Sequence, residues 1–223
     1  MNKKILGLTF AVGALTLSAN AQAAVITDSF TNPHETTEIN QTGALSMFDT
    51  TLGTLSSATL IMSGESISSS VLENTASGGQ FFEFNSVLNF FLDLSSVGVT
   101  TPNPAFTTSL ASTGGFISLG AGATLDLGTT TDNDSWSLTF TGADLNPFIG
   151  SGVFNVGCQT ISSSTFSGGG GNINNTQSTT AACSGDISYV YDAPSNNVPA
   201  PASLWLMGAG LLGLAAFRKR KSS

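Results

Sequence analysis

Between Ala24 and Asn197 the sequence has no lysine and no arginine. The six basic residues sit at the two ends, as Lys3, Lys4 and Arg218 to Lys221. All fourteen Asp and Glu lie between them, with His34 as the single histidine. The chain's formal charge of −8 is therefore a segregated one: fourteen carboxylates with no cationic side chain in the middle, and cations only at the ends. This absence excludes nucleic acid as a partner, because affinity for it rests on Lys and Arg replacing counterions along the phosphates. It repels polyanionic polysaccharide unless divalent cations bridge. It also removes every Arg–carboxylate pair from the interior. The acidic side chains must be solvated, hydrogen-bonded by backbone amides or bound to metal. The simplest role for such a surface is to keep the domain dispersed.

Cysteine is nearly as scarce, with only Cys158 and Cys183 present. One histidine and two cysteines are too few for the usual zinc sets. A cysteine hydrolase would have only His34 as its base. There is no G-x-S-x-G elbow, no H-E-x-x-H and no phosphate loop; Gly168 to Gly171 lacks the lysine that a phosphate loop requires. In an exported chain, an even cysteine count reads as a disulfide. The Cys158–Cys183 pair is expected to staple a glycine- and serine-rich excursion too poor in apolar residues to bury much surface.

Export is legible at the start. Met1-Asn2-Lys3-Lys4 is a basic n-region, Ile5 to Leu17 is apolar, and Ala21-Gln22-Ala23 is a small-x-small exit. This is a secretory signal peptide over 1–23, with cleavage expected after Ala23. The exported body follows as one domain over 24–197, a length that buries about two-thirds of its extended surface. At the other end, Val198 to Ser203 form a proline hinge, Leu204 to Phe217 an apolar run and Arg218 to Lys221 a basic stop. A bilayer-spanning helix needs about 20 apolar residues, and the run approaches this if the hinge lies at the interface. A single transmembrane helix over 204–217 is expected, with the basic stop cytoplasmic by the positive-inside rule.

The tail from Val198-Pro199-Ala200-Pro201-Ala202 through Gly208, Gly210 and Gly213 to Arg218-Lys219-Arg220 resembles the PEP-CTERM sorting signals, in the variant whose hinge reads Val-Pro-x-Pro-Ala. Ala200 stands where the type form has glutamate. The resemblance implies a Gram-negative bacterium that makes exopolysaccharide. It also implies an exosortase as partner, acting on a motif carried by Val198, Pro199 and Pro201. The implied route passes through an inner-membrane intermediate, body on the periplasmic side, to the cell surface or extracellular matrix.

Within the body, alternation points to strands. Trp136, Leu138 and Phe140 alternate with hydroxyl residues, as do Ile187, Tyr189 and Tyr191; Phe82 and Phe84 flank Glu83. Period two with glycine and asparagine punctuation predicts half-buried antiparallel strands. Candidates run over 25–30, 44–48, 56–63, 66–72, 80–84, 87–94, 116–119, 123–127, 135–141, 152–156 and 185–191. Residues 87–94 also fit a helix face, and context favours the strand. The expected fold is all-β: an antiparallel β-sandwich of jelly-roll or Greek-key type, with barrel closure as the alternative. The stretch from Phe48 to Leu60 and the closing Ile187 to Tyr191 are similar to the first and last motifs of choice-of-anchor E domains. That resemblance implies one β-rich exported domain and no known activity.

Candidate chemistry is confined to carboxylates. Asp132 and Asp134, with Asp126 or Asp144, offer oxygen ligands for calcium, which takes 6–8 of them. The competing reading of Asp132-Asn133-Asp134 is a turn, where Asp and Asn are favoured. Glu35 with Glu38, or Glu65 with Glu73, would be the acid and base of a glycosidase only if a cleft held them together. The resulting expectation is a non-enzymatic exported protein with a structural or adhesive role in an exopolysaccharide layer. A carbohydrate- or calcium-binding module is the alternative, and a secreted hydrolase the third reading.

Overall fold

A computed structural model describes residues 23–194. Apart from Ala23, the expected signal peptide lies outside the described residues, and so does the whole sorting tail from Val198 onward. The described part is one compact unit, Ala23–Ala193. It has ten strands: β1 (Ala23–Thr31), β2 (Glu35–Thr36), β3 (Asn40–Ser46), β4 (Thr54–Asn74), β5 (Gln80–Asp93), β6 (Phe106–Ser112), β7 (Ile117–Leu119), β8 (Thr124–Thr141), β9 (Val153–Gly168) and β10 (Ile173–Asp192). Helical structure among the described residues is limited to short 3-10 turns.

One sheet has the order β1-β10-β4-β8, with β2 added to β10; the other has β3-β9-β5-β6, with β7 added to β5. All strand pairings are antiparallel. With the short β2 and β7 set aside, the first sheet holds principal strands one, eight, three and six. The second holds two, seven, four and five. Two Greek keys wound in this way form a jelly roll. The sandwich expectation holds, and barrel closure does not.

The transmembrane expectation is corrected. No helix among the described residues is long and apolar enough to cross a membrane. The apolar run at 204–217 that carried the expectation lies outside the described residues. The membrane as a partner, and the inner-membrane intermediate that depended on the helix, are accordingly not carried forward.

Several strands are longer than their alternation suggests. The candidates at 56–63 and 66–72 are one strand, β4, because Gly64 is not a turn. A Cβ there would lie 2.3 Å from Phe90 and 2.7 Å from Phe106, so the glycine makes room for their stacked rings. Residues 80–84 and 87–94 likewise fuse into β5. The supposed excursion between the cysteines is two strands, one in each sheet, joined by a short turn. β9 continues through Ser162, Ser163 and Ser164 to Gly168, and β10 begins at Ile173. Cross-strand pairing with β5 and β4 supplies the order that the serine-rich composition lacks. Strand β6 shows little apolar alternation because two of its inward positions are a threonine and an alanine, Thr108 and Ala111.

The space between the sheets holds two apolar clusters. The larger includes Phe48, Leu60, Met62, Phe90, Phe148, Phe154 and Ile187; the smaller is Leu72, Phe82, Phe84 and Ala111. Strand β4 reaches both. Its inward residues run Leu60, Met62, Gly64, Ser66, Ser68, Ser70, Leu72, so hydroxyls occupy the middle of the sandwich. Those hydroxyls are paired. Ser66 meets Thr108 at 2.7 Å, Ser68 meets Thr179 at 2.9 Å, and Ser70 donates to Asn175 at 2.6 Å. Pairing is what makes a buried hydroxyl tolerable, since an unpaired one costs about 1–3 kcal/mol.

Candidate functional site

With no Lys or Arg in the described residues, the carboxylates turn to the main chain. The clearest instances lie where the two sheets' edges face each other. Asp132 on β8 accepts the Ser109 amide of β6 at 2.7 Å, and Asp134 accepts the Thr107 amide at 3.5 Å. β8 and β6 are the terminal strands of their sheets on that side. On the opposite side, Asp28 of β1 accepts the Ser46 amide of β3 at 2.7 Å. Glu38 accepts the amide of Ser162 at 2.9 Å, just past the last residue of β9 that pairs with β3. An open strand edge presents unpaired amides that invite another chain, and inward-pointing charges blunt it. These acids therefore tie the sheets' edges together and cap them. The Ser46 hydroxyl and then its amide hold the Asp28 carboxyl below the ordinary carboxylate value. The Thr51 amide does the same for Asp49, and the Ser95 amide for Asp93.

This use accounts for the proposed calcium ligands. Asp132-Asn133-Asp134 is not a turn: it is mid-strand in β8, opposite Ser66, Glu65 and Gly64. Asp126 sits near the start of β8, accepting the Gly128 amide at 2.8 Å. There the register with β4 shifts, and Gly128 takes φ +76°. Asp144 lies in the 3-10 turn over Gly142–Phe148. The four are not brought together, and among the described residues no group of three or more His, Cys, Asp and Glu is placed to hold a metal ion. The glycosidase pairs are also separated in role or space. Glu65 and Glu73 share one face of β4, but eight residues amount to about 27 Å of strand. Catalytic carboxylates stand about 5–9.5 Å apart. Glu38 of the other pair is taken up by Ser162.

His34 lies beside the outer face of the β1-β10-β4-β8 sheet, at a cleft of about 310 Å³ lined by Asn32, Glu65, Asn133, Asp134 and Ser184 among others. Its Nε2 stands 4.0 Å from the Glu65 carboxylate. Asn32 Nδ2, buried at the cleft wall, has no hydrogen-bond partner among the described residues. Elsewhere, burial and then the Asp28 charge push the Tyr189 phenol well above its ordinary value. Its hydroxyl donates to the Ser46 carbonyl at 2.7 Å. Tyr189 is thus a neutral tie between β10 and β3.

Cys158 and Cys183 are joined as expected. The bond links β9 in one sheet to β10 in the other and is buried in the larger cluster. It staples the two sheets rather than a loose loop. Beside it, Gln41 accepts the Cys183 amide at 3.0 Å and donates to the Pro33 carbonyl at 2.8 Å. The stretches 48–60 and 187–191 also meet. Leu60 pairs with Ile187, and the Phe48 ring packs 5.7 Å from Tyr189 and 5.3 Å from Tyr191.

One feature escaped the sequence reading. Phe81 and Phe116 stack on each other, centroids 5.1 Å apart, yet remain 60% and 51% exposed. The signal was the doublet Phe81-Phe82: in a strand, adjacent residues face opposite ways, so one of the two had to point outward.

The sorting residues Val198, Pro199, Pro201, Gly208, Gly210, Gly213, Arg218, Lys219 and Arg220 lie outside the described residues. Their assignment rests on the sequence, and residues 197–221 match the family model described as the PEP-CTERM protein-sorting motif. The chain thus carries the tail of an exported protein sorted by an exosortase. No curated protein matches the sequence. Among solved structures, a chain from the infectious bursal disease virus Gx strain is similar at 11% identity. The match covers 80% of this chain and 35% of that one, with a TM-score of 0.20. The infectious bursal disease virus VP2 subviral particle gives 11%, 80%, 40% and 0.20. The Salmonella SPI-1 injectisome secretin InvG gives 7%, 71%, 71% and 0.17. This chain spans well under half of those two viral chains, and likenesses this slight carry nothing over to it.

Proposed function

We propose that this exosortase-sorted protein has a structural or adhesive role at the cell surface or in the extracellular matrix, in contact with exopolysaccharide. The observation that carries the reading is the joining of a PEP-CTERM tail at 197–221 to a disulfide-stapled jelly roll in which Asp28, Glu38, Asp132 and Asp134 serve its own strand edges. Such a body is a rigid, anionic, self-contained module. Its resemblance to choice-of-anchor E domains supports a part that is displayed rather than one that turns over substrate. We read it as non-enzymatic.

The experiment follows the tail. The full chain and its Pro199→Ala/Pro201→Ala variant are produced in a host with an exosortase, and matrix material is analysed by intact mass. The expected result is a shortened chain in the matrix for the parent and an unshortened, cell-retained chain for the variant. An equally processed variant would remove the hinge as the recognition element. A parent chain absent from matrix and surface fractions would overturn the proposal.

A carbohydrate-binding reading is favoured by one observation, the exposed aromatic pair.

A further inference from the structure

Phe81, the second residue of β5, lies on the outer face of the β3-β9-β5-β6 sheet, and Phe116 lies just before β7. Two large rings left more than half exposed are a departure in a body whose other phenylalanines are mostly buried. The pair is built rather than incidental. Phe116 lies over Gly168, where a Cβ would come within 3.5 Å of the ring and 2.5 Å of the Phe81 carbonyl. Gly168 also holds φ +83°. A side chain there would disturb the shelf on which the pair rests.

The neighbours are polar and without positive charge. Glu83 follows Phe81 on the same face, with Ser167 opposite it on β9. Asn85 comes next, donating to Glu83 at 3.4 Å and accepting from Ser112 at 2.5 Å. An apolar ring surface thus continues into carboxylate, amide and hydroxyl groups.

The charge pattern selects the occupant. A body with fourteen carboxylates and no Lys or Arg does not bind phosphate, sulfate or uronate groups, or anionic lipid surfaces. A second copy carries the same charge and is repelled. What remains is a neutral polymer with apolar C–H faces for the rings and hydroxyls for Glu83, Asn85 and Ser112. A neutral glycan chain has both. Position agrees with this. β10 starts beside the aromatic shelf at Ile173 and ends at Asp192, about 60 Å away at ~3.3 Å per residue. Asp192 pairs with Ala23, so both chain ends of the body leave from the far end, and the aromatic pair sits at the opposite tip.

We propose that Phe81 and Phe116 form a stacking platform for a neutral polysaccharide, with Glu83, Asn85 and Ser112 accepting and donating hydrogen bonds to its hydroxyls. This rests on the matrix reading above and assigns it a contact surface.

The test uses the full chain in a sugar-free zwitterionic detergent, run in native gels containing hydroxyethylcellulose, dextran or polygalacturonate. The expected result is retardation by at least one of the two neutral polymers and none by polygalacturonate. Phe81→Ala and Phe116→Ala should each weaken that retardation about tenfold. Phe81→Leu, which keeps apolar bulk but removes the ring, should weaken it as well, at an unchanged melting temperature. Thr59→Ala, on the other sheet's outer face, should leave it unchanged. No retardation by either neutral polymer would overturn the proposal. So would equal retardation by polygalacturonate, or variants that bind like the parent. The platform variants should still be processed at the tail, so failure here is distinct from failure of the sorting and matrix reading.

Discussion

The two ends of the sandwich are made from the same strands and differ in what those strands bury. Near the chain ends lies a cluster of 24 buried residues; near the aromatic tip the cluster has four. Between them runs the band of paired hydroxyls on β4, β6 and β10. Strand pairing is therefore continuous along the molecule while apolar burial is not. The larger cluster and the disulfide hold the sheets together at one end. At the other the sheets are held by a small core and polar ties, leaving aromatic surface free to face outward.

The largest effect should come from the larger cluster. Phe90→Ala removes one ring of the stacked Phe90–Phe106 pair above Gly64 and should destabilise by about 3–5 kcal/mol, the usual range for a buried phenylalanine. Phe82→Ala, in the smaller cluster, should lose less, because fewer buried neighbours surround the cavity. Urea unfolding of both variants measures the difference. Equal losses would break the distinction between the two ends.

The hydroxyl band offers an intermediate effect. Ser66→Ala leaves the buried Thr108 hydroxyl without its partner and should lower stability by about 1–3 kcal/mol. Ser66→Ala combined with Thr108→Val removes both hydroxyls and should lie close to the parent. A double variant as unstable as the single one would mean that the band has a role beyond mutual pairing.

The smallest effect belongs to the edge carboxylates. Asp28 is held below its ordinary value of 3.8, so its contribution is present above that value and is lost as pH falls through the lower, folded value. Asp28→Asn should therefore melt slightly lower than the parent at about pH 6, with the gap narrowing as the pH falls below 3.8. The side chain is largely solvated, which keeps the difference small. A gap that persists in acid would show that the Ser46 contact depends on the side chain's shape rather than its charge.

Much of this protein is local in its sequence. Period-two alternation around Trp136, Ile187 and Phe82 specified an all-β body. The segregation of charge determined that carboxylates would be solvated or would use backbone amides or metal. The lone cysteine pair specified its own bond, and the tail carries its own address. Tertiary structure decided where each polar residue goes. Gly64 reads locally as a break, but it lies inside β4 because Phe90 and Phe106 need the space of its missing side chain. Asp132 and Asp134 read locally as a turn or a calcium site, yet they extend β8 because β4 pairs with them and the β6 edge supplies amides. The serines after Cys158 read as slack chain, but cross-strand partners on β5 make them strand. Of two adjacent phenylalanines, only the register of β5 determined that Phe82 would be buried and Phe81 left exposed. The physical reason is common to all four. A residue's own propensity sets a preference of about 1 kcal/mol or less. A partner strand, a ring needing space or an unpaired amide outweighs it, and those neighbours come from distant parts of the chain.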